Sequence, residues 1–190
     1  MHPDLHLCFN AAWLVLVIVW IAGAVTAKRA ARSESAASLA GHLLLLAAGM
    51  TLVFTANVHR GPLAWRLIPE SPAAVWAGLA LTVAGVAFAI WARLILAGNW
   101  SGSVTIKEGH TLVRRGPYRV VRNPIYTGLW MALMGTAAAY GEFRGFLGAG
   151  IALLAWWQKT RIEEAFLAEQ FGAEYERYRR EVKALIPFVL

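Results

Sequence analysis

Apolar residues fall along this chain in long unbroken runs, not in the short alternating or one-faced patterns of soluble elements. The first run covers residues 7–27, "LCFNAAWLVLVIVWIAGAVTA", and stops at the basic "KRAAR". A second covers 39–57 and a third 73–97. Each is close to the roughly 20 residues with which a helix crosses about 30 Å of hydrocarbon. Arg93, near the end of the third run, can extend to the interface by its long stem. A polar stretch, 98–123, comes next. "PIYTGLWMALMGTAAAY", a tight "GEFRG" and "FLGAGIALLAWWQKTRIEEAFLAEQF" follow. The last two apolar segments are joined by almost nothing, which predicts a helical hairpin whose second arm runs past the membrane into water. The pattern therefore predicts an all-α integral membrane protein with five transmembrane helices, a C-terminal helical hairpin, a cytoplasmic loop and an amphipathic C-terminal helix.

Small residues fill the hairpin, among them Gly128, Gly135, Gly141, Gly145, Gly148 and Gly150. Such residues let membrane helices approach closely. Gly141 and Gly145 flank the turn, so loop geometry explains them better than helix pairing. Phe171-Gly172 reads as a helix stop. Beyond it, Tyr175, Tyr178, Val182 and Leu185 fall on one face of a further helix, with Glu176 and Arg180 at i,i+4 and Pro187 as its end. This terminal helix is expected at the headgroups or capping the bundle. No internal repeat interrupts the pattern, and a single domain is expected over 1–190, with three N-terminal transmembrane helices in 1–97.

Composition agrees with this picture and narrows the partners. Of the 190 residues 58% are hydrophobic and 15% charged, too few charges for the surface of a soluble domain. The net charge of +7 suits anionic membrane lipids, and with so little soluble surface no nucleic acid partner is expected. Basic residues gather on one side: Lys28, Arg29 and Arg32, then Lys107, Arg114, Arg115, Arg119 and Arg122, then Lys159, Arg161, Arg177, Arg179, Arg180 and Lys183. That side is cytoplasmic by the positive-inside rule, which places the N-terminus outside and the C-terminus in the cytoplasm of a multi-pass protein, expected in a bacterial inner membrane. The start "MHPDLHLCFN" lacks the basic region of a cleavable signal, so the first segment is expected to be retained. Cys8 is the single cysteine; it excludes an internal disulfide, suggests a packing role, and no metal site is expected.

Function in a membrane protein shows as polar residues that bundle packing does not require. Here they collect in "NWSGSVTIKEGHTLVRRGPYRVVRNPIYTG" and "WWQKTRIEEAF". In the first, "EGH" and "RGPY" read as turns, and two readings stand side by side: backbone groups around Leu112 and Val113, with His110 nearby, read an adenine ring, or the stretch is a solvated loop in which His110 has no role. Asn123 and Pro124 have a structural explanation as N-cap and first helical residue. The same helix start beside Arg122 is also suited to an anion, with Tyr126 close by. In the second stretch, Trp157, Arg161 and Glu164 share a helix face, and Arg161 and Glu164 can pair at i,i+3. Glu163 projects about 100° away from Glu164. Two carboxylates leaving a membrane span can hold an ammonium or a ribose diol.

Taken in order, "GHTLVRRGPYRVVRNPIYTG" and "RIEEAFLAEQFGAEYERYRREVKALIP" resemble the isoprenylcysteine carboxyl methyltransferase family, part of a wider group with the phospholipid N-methyltransferases. The likeness spans roughly residues 99–187. It implies a membrane methyltransferase that uses S-adenosylmethionine in a cytoplasm-facing pocket within 98–190, reached by a lipid-like substrate from the bilayer. By resemblance the cofactor would contact His110, Leu112, Val113, Gly116, Tyr118, Asn123, Tyr126, Glu163 and Glu164, and the catalytic group would be Arg122, Asn123 and Tyr126. One departure is plain: the usual His of the motif is Asn123 here. Asn keeps hydrogen bonding but cannot titrate near neutral pH.

A carboxylate nucleophile needs no base, only a positive partner such as Arg122 or Arg119, whereas an amine must lose a proton. The departure therefore favours a carboxylate acceptor over phospholipid or other amphiphile N-methylation. Trp156, Trp157 and the tyrosines are placed to line the lipid side or meet a sulfonium. Two readings of other classes stay open: a catalytically silent membrane binding protein and an NADPH-dependent membrane reductase. A soluble nucleotide-fold methyltransferase is excluded, because no strand–GxGxxG–helix unit occurs. A transporter would need charged or broken midplane segments of a kind not found here. Oligomeric state is not legible.

Overall fold

The computed structural model describes residues 3–25, 30–33, 35–55, 61–96, 105–107 and 112–186. Six α-helices carry the fold: α1 Pro3–Val25, α2 Ala36–Phe54, α3 Pro72–Leu96, α4 Pro124–Tyr140, α5 Phe143–Phe171 and α6 Ala173–Glu181. A short antiparallel ribbon, β1 Ala30–Ser33 with β2 Thr105–Lys107, is added to this helical plan and had no counterpart in the hydrophobic pattern. Among the described residues three helices are long and apolar enough to cross a membrane: Leu5–Gly23 of α1, all of α2 and all of α3. Local chemistry sets the helix starts. Ser35 and Ser71 side chains accept the N–H groups of Ser38 (3.3 Å) and Ala74 (3.2 Å).

Packing links α1 to α3, α3 to α4, α4 to α5 and α5 to α2. The seam between α3 and α4 is the tightest. A Cβ on Gly128 would stand 2.6 Å from both the Gly85 carbonyl oxygen and the Ala89 nitrogen; one on Gly135 would stand 2.6 Å from the Gly78 carbonyl. The two helices thus run antiparallel with backbones in contact, as small residues permit where apolar solvent gives side chains no hydrophobic drive to associate. Gly49 and Gly148 join α2 to α5 in the same way.

Several expectations change here. The α4–α5 turn is only Gly141 and Glu142. Gly141 adopts φ 72°, and its carbonyl accepts from Leu67 (2.7 Å) and Ile68 (3.1 Å). Gly145 belongs to α5 and packs its missing side chain against Ala137, so helix contact rather than loop geometry explains it. Arg144 is buried in the first turn of α5; it pairs with Glu142 and donates to the Leu52 carbonyl at 3.0 Å. Arg93 does not extend outward: it is buried and donates to the Gly23 carbonyl at 2.7 Å, which ties α3 to α1. Cys8 is exposed on α1 instead of packed.

The C-terminal reading also shifts. Gly172, at φ 50°, ends α5 as predicted, and Tyr175 and Tyr178 turn inward to cap the bundle. The helix stops at Glu181, well short of Pro187. Val182 is extended (φ −125°, ψ 135°), and residues 183–184 lie along the chain just before α4. There the N–H groups of Arg122 and Asn123 donate to Lys183 (2.8 Å) and Ala184 (3.0 Å) carbonyls. Two backbone bonds to a partner segment outweigh one further turn of an exposed helix. Leu185 is buried by that extended segment, not by a helix face. Glu176 pairs with Arg179 at 3.6 Å, one position short of the predicted Arg180.

Candidate active site

Three elements meet where α4 begins. Asn123 occupies the N-cap position, but its side chain makes no capping bond; its amide nitrogen donates to the Ala184 carbonyl at 3.2 Å. Thr127, one turn on, donates to the Leu185 carbonyl at 2.6 Å. The cap expected from Asn-Pro is therefore replaced by a strap: the segment 183–185 is stitched to the first turn of α4. The anion expected beside Arg122 is a side chain of the protein itself. The Arg122 guanidinium donates to Glu164 Oε1 through Nε (2.8 Å) and Nη2 (2.6 Å), and through Nη1 to the carbonyls of Arg179 (3.0 Å) and Val182. Both partners of this pair are more than nine-tenths buried, so Arg122 locks α4, α5 and α6 together. Glu164 thus pairs across the fold instead of with Arg161, whose guanidinium lies 5.7 Å from the Trp157 ring centre.

Aromatic hydroxyls back this lock. Tyr178 donates to the Tyr118 carbonyl at 2.6 Å and Tyr118 to the Ala92 carbonyl at 3.4 Å. Burial raises the Tyr118 phenol well above its usual range, and the Glu163 charge adds to the shift. Burial likewise raises Tyr175 and Tyr178. All three phenols stay protonated and are not bases, and Tyr118 and Tyr178 act as fixed donors.

Glu163 looks the other way. Its Oε1 accepts from the Tyr126 hydroxyl at 2.8 Å. The Tyr126 ring stacks on Trp156 (centroids 6.1 Å apart, planes at 12°), and the Lys159 ammonium lies 6.0 Å from its centre. Behind Tyr126 a cavity of about 580 Å³ opens between α1, α2, α4 and α5. The residues that line it, Trp20 and Ile125 among them, are apolar or aromatic apart from Lys159. Trp13 and Phe54 meet edge-on at 5.3 Å at its far side, and Trp13 is fixed by donating to Thr136 at 3.2 Å. Tyr126 therefore stands as a partition, with a carboxylate on one side and an apolar cavity on the other.

Among the remaining predicted residues, His110 lies outside the described residues. Val113 packs with Ala92, Tyr118 and Ile125, and Leu112 beside it is half-buried. Gly116 turns with φ 60°, and a Cβ there would approach Ile95 at 3.4 Å. The structure thus brings Tyr126 together with Glu163, and Arg122 with Asn123 and Glu164, as two adjacent groups. Arg119, the other arginine considered for positioning an anion, is exposed. Lys159 and the tryptophans of α1 were missed. Lys159 was counted only as one more inward-side cation; its signal was a lysine one turn before Glu163 on a tryptophan-rich apolar helix.

Known proteins show related sequences and architecture. A protein-S-isoprenylcysteine O-methyltransferase of Schizosaccharomyces pombe is 37% identical over 83 residues, 43% of this chain and 35% of that protein. The human protein of the same name is 30% identical over 129 residues, 64% of this chain and 45% of the relative. The chain thus matches less than half the length of these relatives. The solved structure of the eukaryotic intramembrane Ras methyltransferase ICMT superposes with a TM-score of 0.53 at 22% identity, covering 80% of this chain and 52% of that one. At that identity the likeness is one of fold, and with the apolar helices it makes this a multi-pass integral membrane protein. The sequence profile of the family described as "Phospholipid methyltransferase" matches residues 73–174, more than half of the chain, and the protein belongs to that family.

Proposed function

We propose that this protein transfers a methyl group from S-adenosylmethionine to the carboxylate of a lipid-like acceptor at the cytoplasmic membrane face. The observation that carries the reading is the partition: an apolar cavity ends at Tyr126, whose hydroxyl is held by Glu163. The donor set fits the cofactor. Glu163 offers a half-buried carboxylate for a ribose diol or an ammonium, and the faces of Tyr126 and Trp156 suit a sulfonium by cation–π attraction. Leu112, Val113, Gly116 and Tyr118 would complete the site, with His110 from the loop before them. Bound there, S-adenosylmethionine supplies an electrophilic methyl on a sulfonium whose charge disappears on transfer.

The protein's own residues then align and dry the reactants. Arg122, Asn123 and Glu164 serve by position: they hold α4, α5 and the 183–185 strap so that Tyr126 and Glu163 stay in register. No residue at 123 can accept a proton, and a carboxylate nucleophile needs none. Residues 1–97 would supply the acceptor's wall and 98–190 the cofactor side. With α4 and the first part of α5 crossing the bilayer as a hairpin, five spans place the start of α1 outside and α6 in the cytoplasm. The family description favours phospholipid N-methylation as a second reading; an amine must lose a proton, and Asn123 provides no acceptor for it.

The test is calorimetric binding of S-adenosylhomocysteine to the detergent-purified chain, then transfer of labelled methyl to a prenylated cysteine or to phosphatidylethanolamine in vesicles. Glu163→Gln is expected to weaken binding at least tenfold while the fold persists. No binding to the native protein would sink the reading, and label in phosphatidylethanolamine alone would favour the amine acceptor.

A further inference from the structure

The segment before α4 holds one tight turn, Gly116–Arg119. Its internal bonds are few: the N–H of Tyr118 donates to the Arg115 carbonyl at 3.3 Å, and those of Val120 (3.0 Å) and Val121 (3.2 Å) to the Pro117 carbonyl. A single turn is not stable by itself, so its place is set by what it leans on. Toward α3 the polar support is slight, since the Tyr118 hydroxyl reaches the Ala92 carbonyl only at 3.4 Å. The firm support comes from α6. There the Tyr178 hydroxyl donates to the Tyr118 carbonyl at 2.6 Å, with both residues buried. Nearly one turn further along α6, Glu181 pairs with Arg114, whose guanidinium also lies 5.0 Å from the Tyr178 ring centre. The segment from Arg114 to Tyr118 is thus tied to α6 at both ends. The helix does not depend on the turn for its own place: Arg122 holds it by the carbonyls of Arg179 (3.0 Å) and Val182.

We propose that Tyr178 is a positioning residue for the cofactor: through one hydrogen bond to the Tyr118 carbonyl it fixes the Gly116–Arg119 turn as a wall of the site. This rests on the reading above in taking that turn as part of the cofactor site. Tyr178 acts on the backbone of the turn and not on the cofactor. Its ring contacts, to Arg114 and edge-on to Tyr175 at 6.2 Å, would be served equally by phenylalanine. The hydroxyl would not, because without it a buried carbonyl loses its donor. The same helix also carries the carbonyls that Arg122 holds. One element therefore ties the cofactor turn to the start of α4, on which Tyr126 stands.

Two readouts on the full detergent-purified chain test this: calorimetric binding of S-adenosylhomocysteine, and amide hydrogen exchange over residues 116–121. In Tyr178→Phe the Val120 and Val121 amides are expected to exchange about tenfold faster and S-adenosylhomocysteine to bind about tenfold more weakly, with exchange in α4 and α5 unchanged. Glu181→Gln, which breaks only the exposed tie, should move both readouts the same way by about two- to threefold. Arg177→Gln, on the exposed face of α6, should move neither. Unchanged exchange in Tyr178→Phe overturns the proposal, since the ring would then suffice. Faster exchange throughout α4 and α5 also overturns it, by making Tyr178 a general support of the fold. So does faster exchange confined to the turn with native affinity for S-adenosylhomocysteine. Should Tyr178→Phe yield no folded protein, Glu181→Gln decides, and unchanged exchange in it overturns the proposal. If the native chain binds no S-adenosylhomocysteine, the cofactor reading falls and this proposal with it; faster exchange confined to the turn would then keep Tyr178 only as its brace.

Discussion

The α3–α4 seam and the α1–α2 cleft are built from equally apolar helices and end as opposites. Along the seam, glycines at intervals of seven bring two backbones into contact: Gly78 meets Gly135, and Gly85 meets Gly128. Across the cleft, Trp13 and Phe54 meet edge-on and a cavity opens beside them. The burial follows: 39% of the apolar window of α3 is inside the protein, against 11% for α1 and 17% for α2. Hydropathy alone cannot tell these helices apart; residue size at facing positions does. The tight half fixes the residues proposed to do chemistry, and the loose half leaves a cavity of about 580 Å³.

The sharpest way to break the comparison is Gly128→Leu. Overpacking of a core ordinarily costs about 1–3 kcal/mol. Here the first added carbon already stands 2.6 Å from backbone atoms of α3, so the expected result is no monodisperse folded protein in detergent. Next in size is Arg122→Met. Stranding one partner of a buried ion pair costs about 3–5 kcal/mol, and Glu164 would lose both guanidinium bonds. Thermal unfolding of Arg122→Met, Glu164→Gln and the double variant should show the double to be far less damaged than the sum of the singles. An additive result would mean that the pair does not couple α4 to α5. Phe54→Ala should leave the fold intact and lengthen the preferred tail, a several-fold change in the relative affinity of long and short amphiphiles; unchanged preference would mean that the cleft does not measure length. The smallest effect is expected at Gly41, which has nothing within 4 Å of a Cβ: Gly41→Ala should stay within about 0.5 kcal/mol of the native protein or stabilise it slightly.

Helices α1 to α5 were legible from their apolar runs and α6 from the spacing of Tyr175 and Tyr178, and so was the stop at Gly172, since a backbone at φ 50° strongly favours glycine. The site was legible only in part. The tandem glutamates stood out, yet their division of labour depends on partners 42 and 37 residues away, Arg122 for Glu164 and Tyr126 for Glu163. Local rules gave the wrong partner twice. They paired Glu164 with Arg161 and made Asn123 a cap, because i,i+3 spacing and N-cap preference are worth at most about a kcal/mol and yield to tertiary bonds. Lys159 escaped notice since a lysine near the end of a span ordinarily reads as an interface anchor; only the cavity beside it distinguishes the two.

The Arg122 lock also sets a clock on biosynthesis. Arg122 is inserted at the membrane before any of its partners exists: Glu164 follows 42 residues later and Val182 follows 60 residues later. At about 5–20 residues per second, the start of α4 waits about 2–8 s for its carboxylate and about 3–12 s for its strap. Until both have been made, a nascent chain cannot close the lock. A stop between Arg122 and Leu185 would remove part of the lock, Glu164 or the strap, and leave Arg122 without it.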